Sequence, residues 1–376
     1  MNSYEANIAS SFHFSKGRVA LRAVLRAMNI GAGDEVIIPA FTCLALPLPI
    51  LAVGAVPVYA DISAETFNVE LGGIEKLVSP RTRAVILQHT YGIPVDAEPI
   101  VEWARPRHLY VIEDCCHALA STFRGKRVGT FGDAAFYSYE WGKPLVLGSG
   151  GTAVVRDERL RKTLASIHER AVPPSKPQTL FLWLQRRVHG AVLTPSRFWR
   201  LRSVFRFLSR FRFVVRTFTP EEKAGRMAQA DTRMAGFLKA RLERKLDDVE
   251  SDVRMRRRIV HCYKEGLMRI GGHGHQAASG QDIVYLRYPV VVKDKPAVLQ
   301  RARERQVEVG DWFESPVHPL NEAQWLFVNY VKGRCPVAER ISSHVITLPI
   351  YDKVTDAEID RTLAFLAELK SEGMLQ

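Results

Sequence analysis

Val36 to Ala60 is a stretch of 25 residues without one charged side chain. A run that apolar must leave water, either across a bilayer or inside a protein core. Pro39, Pro47, Pro49 and Pro57, together with Gly54, would break a spanning helix repeatedly. The pieces VIIPA and VPVYA therefore read as buried parallel strands flanking a short helix. Further β-rich runs follow in RAVILQHTYG, HLYVIED, DAAFYSYEW and GTAVVRD, and the helical patterns GGIEKLVSP and AEPIVEWARP separate several of them. Upstream, Ala20 to Met28 repeats apolar residues at helical spacing before GAGDEV turns the chain into the first buried strand. Strand alternating with helix predicts an α/β fold with a mostly parallel sheet covered on both faces. Functional groups then belong at the carboxyl ends of the strands.

A chain of 376 residues exceeds one small core, so a large domain over 1–240 and a smaller one over 241–376 are expected. From about Ala235 a long charged helix is predicted through FLKARLERKLDDVESDVRMRRRIVHCYKEGL. It leads into a C-terminal α/β unit made of IVYLRYPVVV, HVITLPI and a final helix from Thr355. MNSYEANIASSFHF lacks the basic start and apolar run of a signal peptide, which points to a cytoplasmic protein. Five cysteines, odd in number and without paired spacing, fit a reducing compartment and predict no metal site.

Residues 170–220 interrupt the pattern. They hold no Asp or Glu but eleven Lys or Arg, most of the formal charge of +13, and RFWRLRSVFRFLSRFRFVVR interleaves arginine with aromatic and aliphatic residues. Within this insert, 185–217 suits an anionic membrane surface. An equal alternative is an insertion packed on a partner subunit with arginines around an anionic ligand. No nucleic-acid role is expected, because no reading motif accompanies the charge.

Two residues at strand ends carry the chemistry. Asp114 closes HLYVIED, and Lys143 in FYSYEWGKPLVLGSGG lies between a strand and a glycine-rich turn. A lysine that loses its proton to attack an aldehyde, matched to a carboxylate that keeps a ring nitrogen protonated, is the pairing pyridoxal 5'-phosphate requires. HFSKGRVALRAVL adds Ser15 and Gly17 where a helix begins; backbone N–H groups there bind phosphate, and glycine permits close approach. Alone that signal is weak, since many helices start at a serine cap. Arg18 either reaches the phosphate or lies in solvent. Ser138, five positions before Lys143, can donate to the phosphate. His117, three beyond Asp114, either touches the ring or its hydroxyl or is an ordinary core histidine. Glu113 alternates to the other side of its strand.

Longer text points the same way: GAGDEVIIPAFTCLALPLPILAVGAVPVYADI, VIEDCCHALASTFRGKRVGTFGDAAFYSYEWGKPLVLGSGGTAVV, SPVHPL and CPVAERISSHVITLPIYDKVTDAEID. With these motifs the chain resembles the DegT/DnrJ/EryC1/StrS family of fold-type-I aminotransferases, which make amino sugars from nucleotide-linked keto sugars. The resemblance implies a seven-stranded-type, mostly parallel sheet flanked by helices, plus a smaller C-terminal α/β domain. It implies that Lys143 binds the cofactor's aldehyde and shuttles the proton, and that Asp114 pairs with the pyridine nitrogen. His117 would contact the ring oxygen; Ser138, Gly17 and Arg18 would hold the phosphate; His318 would face the substrate. Glutamate as donor, a keto-sugar acceptor and a homodimer with sites at the subunit interface are further implications. Lys143 also separates the chain from dehydratase relatives, which carry histidine there. Four features depart from the family: SKGR stands where Ser-Gly-Thr is common, Cys43 where an aromatic residue is frequent, Met227 where an asparagine is frequent, and the insert is longer. A cyclitol or a lipid- or carrier-bound ketone is the alternative acceptor, and a non-catalytic scaffold a third reading.

Overall fold

The computed structural model describes residues 3–192, 195, 198–199, 218–228 and 230–375. Most of the 185–217 stretch expected to meet an anionic surface lies outside these residues. Seven strands form the main sheet: β1 (Phe12–Phe14), β2 (Glu35–Pro39), β3 (Val56–Ala60), β4 (Thr82–Gln88), β5 (Tyr110–Asp114), β6 (Ala134–Ser138) and β7 (Gly151–Val155). Their spatial order is β1-β7-β6-β5-β4-β2-β3. The pairs from β3 through β6 are parallel, and β7 is antiparallel to both β6 and β1. Six strands thus point one way and β7 alone runs back.

Local sequence explains most of this. β2, β6 and β7 are buried along their whole length, as strands covered on both faces must be. The helix Gly17–Ala27 is buried almost all round and packs between the sheet and helix Glu158–Arg170. β1, the tripeptide FHF, had no legible pattern, because three residues are too short for periodicity to register. GGIEKLVSP yields only the single turn Leu71–Glu75; paired glycines cost a helix too much chain entropy to extend it.

The long charged helix is two helices, Gly236–Asp247 and Val249–Arg269, with Asp248 in a non-helical conformation between them. The break follows from packing. Leu238, Leu242 and Leu246 bury into one cluster with Ile8, Tyr137 and Leu145, whereas Ile259, Tyr263 and Leu267 join the main core. A straight helix cannot serve both clusters, and paired aspartates are poor helix formers that yield at the junction. Beyond it, Tyr288–Val291 and Val345–Leu348 pair antiparallel. Thr355 caps the final helix Asp356–Ser371 by accepting from the Glu358 N–H at 3.3 Å. The apolar core runs without interruption from Phe14 in the sheet to Leu375. Among the described residues no helix is long and apolar enough to cross a membrane.

Candidate active site

Register decides which side chains meet. Gln88 of β4, Asp114 of β5 and Phe136 of β6 lie side by side at the carboxyl edge, and Ser138 is paired with Gly151 at the start of β7. Gln88, Asp114, Phe136 and Ser138 line a single cavity at this edge together with Lys16, Gly17, Arg18, His117 and Lys143, and Gly151 packs against Gly17 beside it. Thr42, Cys43, Glu140, Trp141, Trp312 and Phe313 close its walls. The carboxylate and the amine that lie 29 positions apart in sequence therefore share one cavity.

Asp114 is buried and accepts from the Cys116 N–H at 2.9 Å. Burial raises its carboxyl, while that hydrogen bond and the nearby Lys143 pull it back. Glu113 faces the other side and is fully engaged. Its two oxygens accept from the N–H groups of Gly129 at 2.6 Å, Phe131 at 2.7 Å and Gly132 at 2.8 Å, with His89 at 3.2 Å. His89, Glu113 and Cys115 bring one donor atom each within 4.8 Å of one another, but the glutamate's lone pairs are taken by backbone.

His117 is buried, and desolvation, with the charge of Lys143 behind it, holds the imidazole well below its usual value, so it is neutral at pH 7. The Tyr91 N–H donates to its Nδ1 at 3.4 Å, which leaves the proton on Nε2 and makes that nitrogen a donor. Its ring lies 6.0 Å from both Trp312 and Phe313, in near-parallel planes. The Lys143 ammonium sits 5.5 Å from the Trp312 ring centroid. Gly142 and Gly148, with φ of 74° and 91°, give the lysine loop a path that residues with a Cβ rarely take.

The phosphate-cradle expectation has a geometric counterpart. Gly17 opens its helix against Ser138, and a Cβ at position 17 would lie 2.9 Å from the Ser138 Cβ. Among the described residues the Ser138 hydroxyl has no hydrogen bond, although the residue is buried. Arg18 is neither solvated nor free. Its guanidinium is buried, 2.7 Å from Glu222 and 3.4 Å from Glu140, and lies over the Phe218 ring. Glu222 is itself fixed by a capping box with Thr219. Lys16, which sequence reasoning passed over, is the N-cap of the helix and lines the cavity. A cation at the positive end of a helix is an unfavourable placement. Burial and Arg18 accordingly lower its ammonium. An anion in the cavity would relieve both.

His318, expected to face the substrate, is not among the residues that line the cavity. Its backbone pairs with Cys43, but its side chain lies 5.8 Å from the Phe313 ring and takes the Glu314 N–H at 3.4 Å, outside the cavity lining. Gln88, Trp312, Phe313 and Glu140 are cavity residues that the linear text did not single out. Gln88 was visible only as the end of a strand; Trp312 and Phe313 arrive from a segment nearly 200 residues after Asp114, with no local signal.

A buried carboxylate, a nearby amine, a neutral imidazole donor and a wall that carries Lys16 and Arg18 fit pyridoxal phosphate. Comparison with known proteins agrees. The sequence pattern of the DegT/DnrJ/EryC1/StrS aminotransferase family matches residues 8–367. The chain is 27% identical to UDP-N-acetyl-3-dehydro-alpha-D-glucosamine 3-aminotransferase of Acidithiobacillus ferrooxidans, covering 95% of this chain and 83% of that one. It is 28% identical to GDP-perosamine synthase of Caulobacter vibrioides, over 94% and 84%. The fold matches DesV of S. venezuelae with a TM-score of 0.76 at 24% identity, over 97% of this chain and 86% of the other. The chain thus belongs to the DegT/DnrJ/EryC1/StrS aminotransferase family and is a pyridoxal phosphate-dependent aminotransferase.

Proposed function

We propose that this enzyme moves an amino group from glutamate to a nucleotide-linked keto sugar, with Lys143 as the proton-transferring base. The observation that carries this is the shared cavity of Lys143 and Asp114 at the sheet's carboxyl edge. Pyridoxal phosphate, when bound, supplies the aldehyde that accepts the amine and the ring that delocalises the carbanion's charge. Asp114 would hold a proton on the ring nitrogen, and His117 would donate from Nε2 to the ring oxygen. Gly17, Ser138 and Lys16 would hold the phosphate. Arg18 lines the same wall, and its charge is already met by Glu222 and Glu140. Lys143, beside the Trp312 face, would move the proton between the donor's α-carbon and the cofactor.

Relatives that act on UDP-, GDP- and dTDP-linked sugars support the acceptor class. A cyclitol ketone is the second reading, because L-glutamine:2-deoxy-scyllo-inosose aminotransferase of Streptomyces kanamyceticus is 36% identical over 42% of this chain. A homodimer is part of the proposal. Helix Lys176–Val192 sends Leu182 into the cavity lining yet exposes Leu180, Phe181, Trp183, Leu184 and Val188, an apolar face that a second copy would cover. A monomer in sedimentation equilibrium refutes that part. For the reaction, glutamate should convert the bound cofactor to its amine form, and a panel of nucleotide keto sugars and cyclitol ketones should be scored for converting it back. Lys143→Ala should lose at least about 10³-fold in the glutamate half-reaction; retained turnover would end the proposal.

A further inference from the structure

Lys295 is a buried lysine far from Lys143 in sequence and outside the cavity lining. It starts helix Lys295–Glu304, after the capping Asp294. Its Nζ donates to three main-chain carbonyl oxygens: Asp311 at 3.0 Å, Phe313 at 2.8 Å and Ser342 at 2.8 Å. An ammonium has three N–H donors, so every one is used. Ser342 is the last residue of helix Pro336–Ser342, whose carboxyl end favours a cation.

Two of those carbonyls flank Trp312, and the third carbonyl of this turn, that of Trp312 itself, accepts from the Tyr91 hydroxyl. The turn is thus tied at each of three successive peptide groups. Its side chains form the aromatic wall of the cavity: Trp312 and Phe313 face His117, and Phe41 meets Phe313 edge-on at 5.1 Å. Tyr91 joins both ends of this arrangement, since its backbone N–H holds His117 while its hydroxyl holds Trp312.

We propose that Lys295 is a positioning residue for the active cavity, its ammonium holding the Trp312–Phe313 wall against His117 and Lys143. The inference rests on the reading of this cavity as the cofactor site. It has a chemical consequence, because a neutral amine keeps only two donors and turns a lone pair toward the third carbonyl. Burial lowers this lysine to about 8, while Asp311 and Glu314, on the wall's own segment, favour the charged form. From helix Pro336–Ser342 the contact is the Ser342 carbonyl. The wall should therefore loosen as pH rises through about 8, well before ordinary lysines or tyrosines ionise.

Two measurements test this. The first needs no variant: near-ultraviolet circular dichroism of the cofactor-free protein, followed from pH 6.5 to 9.5. A transition centred near 8 is expected, and the same transition should persist in Lys143→Ala and in Lys16→Ala, each of which removes one of the two lysines that line the cavity. A flat wild-type signal overturns the proposal. The second is a double-mutant cycle in the glutamate half-reaction. Lys295→Met should slow it about tenfold, and the same change in a Trp312→Ala/Phe313→Ala background should cost less than about twofold, because the two rings it positions are gone. An undiminished loss in that background means a general structural role and overturns the proposal. A wild-type protein that does not react with glutamate defeats the functional reading instead; the spectroscopic titration still judges Lys295.

Discussion

Glu113 and Asp114 are consecutive on β5, yet one belongs to the scaffold and the other to the site. Glu113 points behind the sheet, where three backbone N–H groups and His89 fill its oxygens. Against the burial that opposes it, those bonds hold its carboxyl below the usual value. Asp114 points into the cavity with a backbone N–H from Cys116, and burial pushes its carboxyl up. The protein satisfies the structural acid itself and leaves the functional one to be completed by a ligand. Buried carboxylates cost free energy until something compensates them, and the difference supports the proposed pairing of Asp114 with a cationic ring nitrogen.

The contrast has consequences of opposite sign with pH. Glu113, lowered in the fold, contributes stability that is present above its unfolded value of 4.5 and is lost as pH falls through the lower folded value. Asp114, raised in the fold, costs stability at neutral pH, and that cost fades as pH falls from the raised value toward 3.8.

Substitution at the functional member should have the largest effect. Asp114→Asn keeps an acceptor for Cys116 and removes the charge, so the glutamate half-reaction should slow by about 10² to 10³. The cofactor-free protein should meanwhile gain about 1 kcal/mol in urea unfolding. An active Asp114→Asn enzyme, or a less stable apoprotein, breaks the comparison. Glu113→Gln comes next. The amide turns a donor toward backbone donors and should cost about 3 kcal/mol of unfolding free energy, while the half-reaction of the folded enzyme stays within about threefold. A stable but inactive variant would show that Glu113 reaches into the chemistry. The smallest effect is expected at the cradle. Lys16→Ala should weaken pyridoxal phosphate about tenfold, or about 1.4 kcal/mol, in fluorescence titration of the apoprotein. It should also weaken competition by inorganic phosphate; unchanged constants would leave the cradle to Gly17 and Ser138 alone.

What could be read before folding divides along physical lines. The uncharged stretch from Val36 to Ala60 carries β2, buried along its whole length as a strand covered on both faces must be, and the edge strand β3, in which Pro57, Tyr59 and Ala60 are buried. Asp114 ends its strand as read, since an ionisable group closing an apolar run marks where the sheet meets the cavity. The Ser15–Arg18 turn does begin a helix, from Gly17. These are local properties, set by composition and periodicity over a few residues. The position of Arg18 was not local: its partner Glu222 lies 204 residues away, beyond the basic insert. His318 was read as facing the substrate, and its ring lies beside Trp312 and Phe313 without lining the cavity.

The amino-acid sequence by itself determined the alternating α/β architecture and the strand end that carries Asp114, because hydrophobic periodicity and turn chemistry act between near neighbours. Tertiary structure alone decided how the cavity is walled, with Trp312 and Phe313 held by Lys295 and Arg18 turned to Glu222. Contacts between distant segments depend on register and packing across the whole core, and no local stretch of sequence records them.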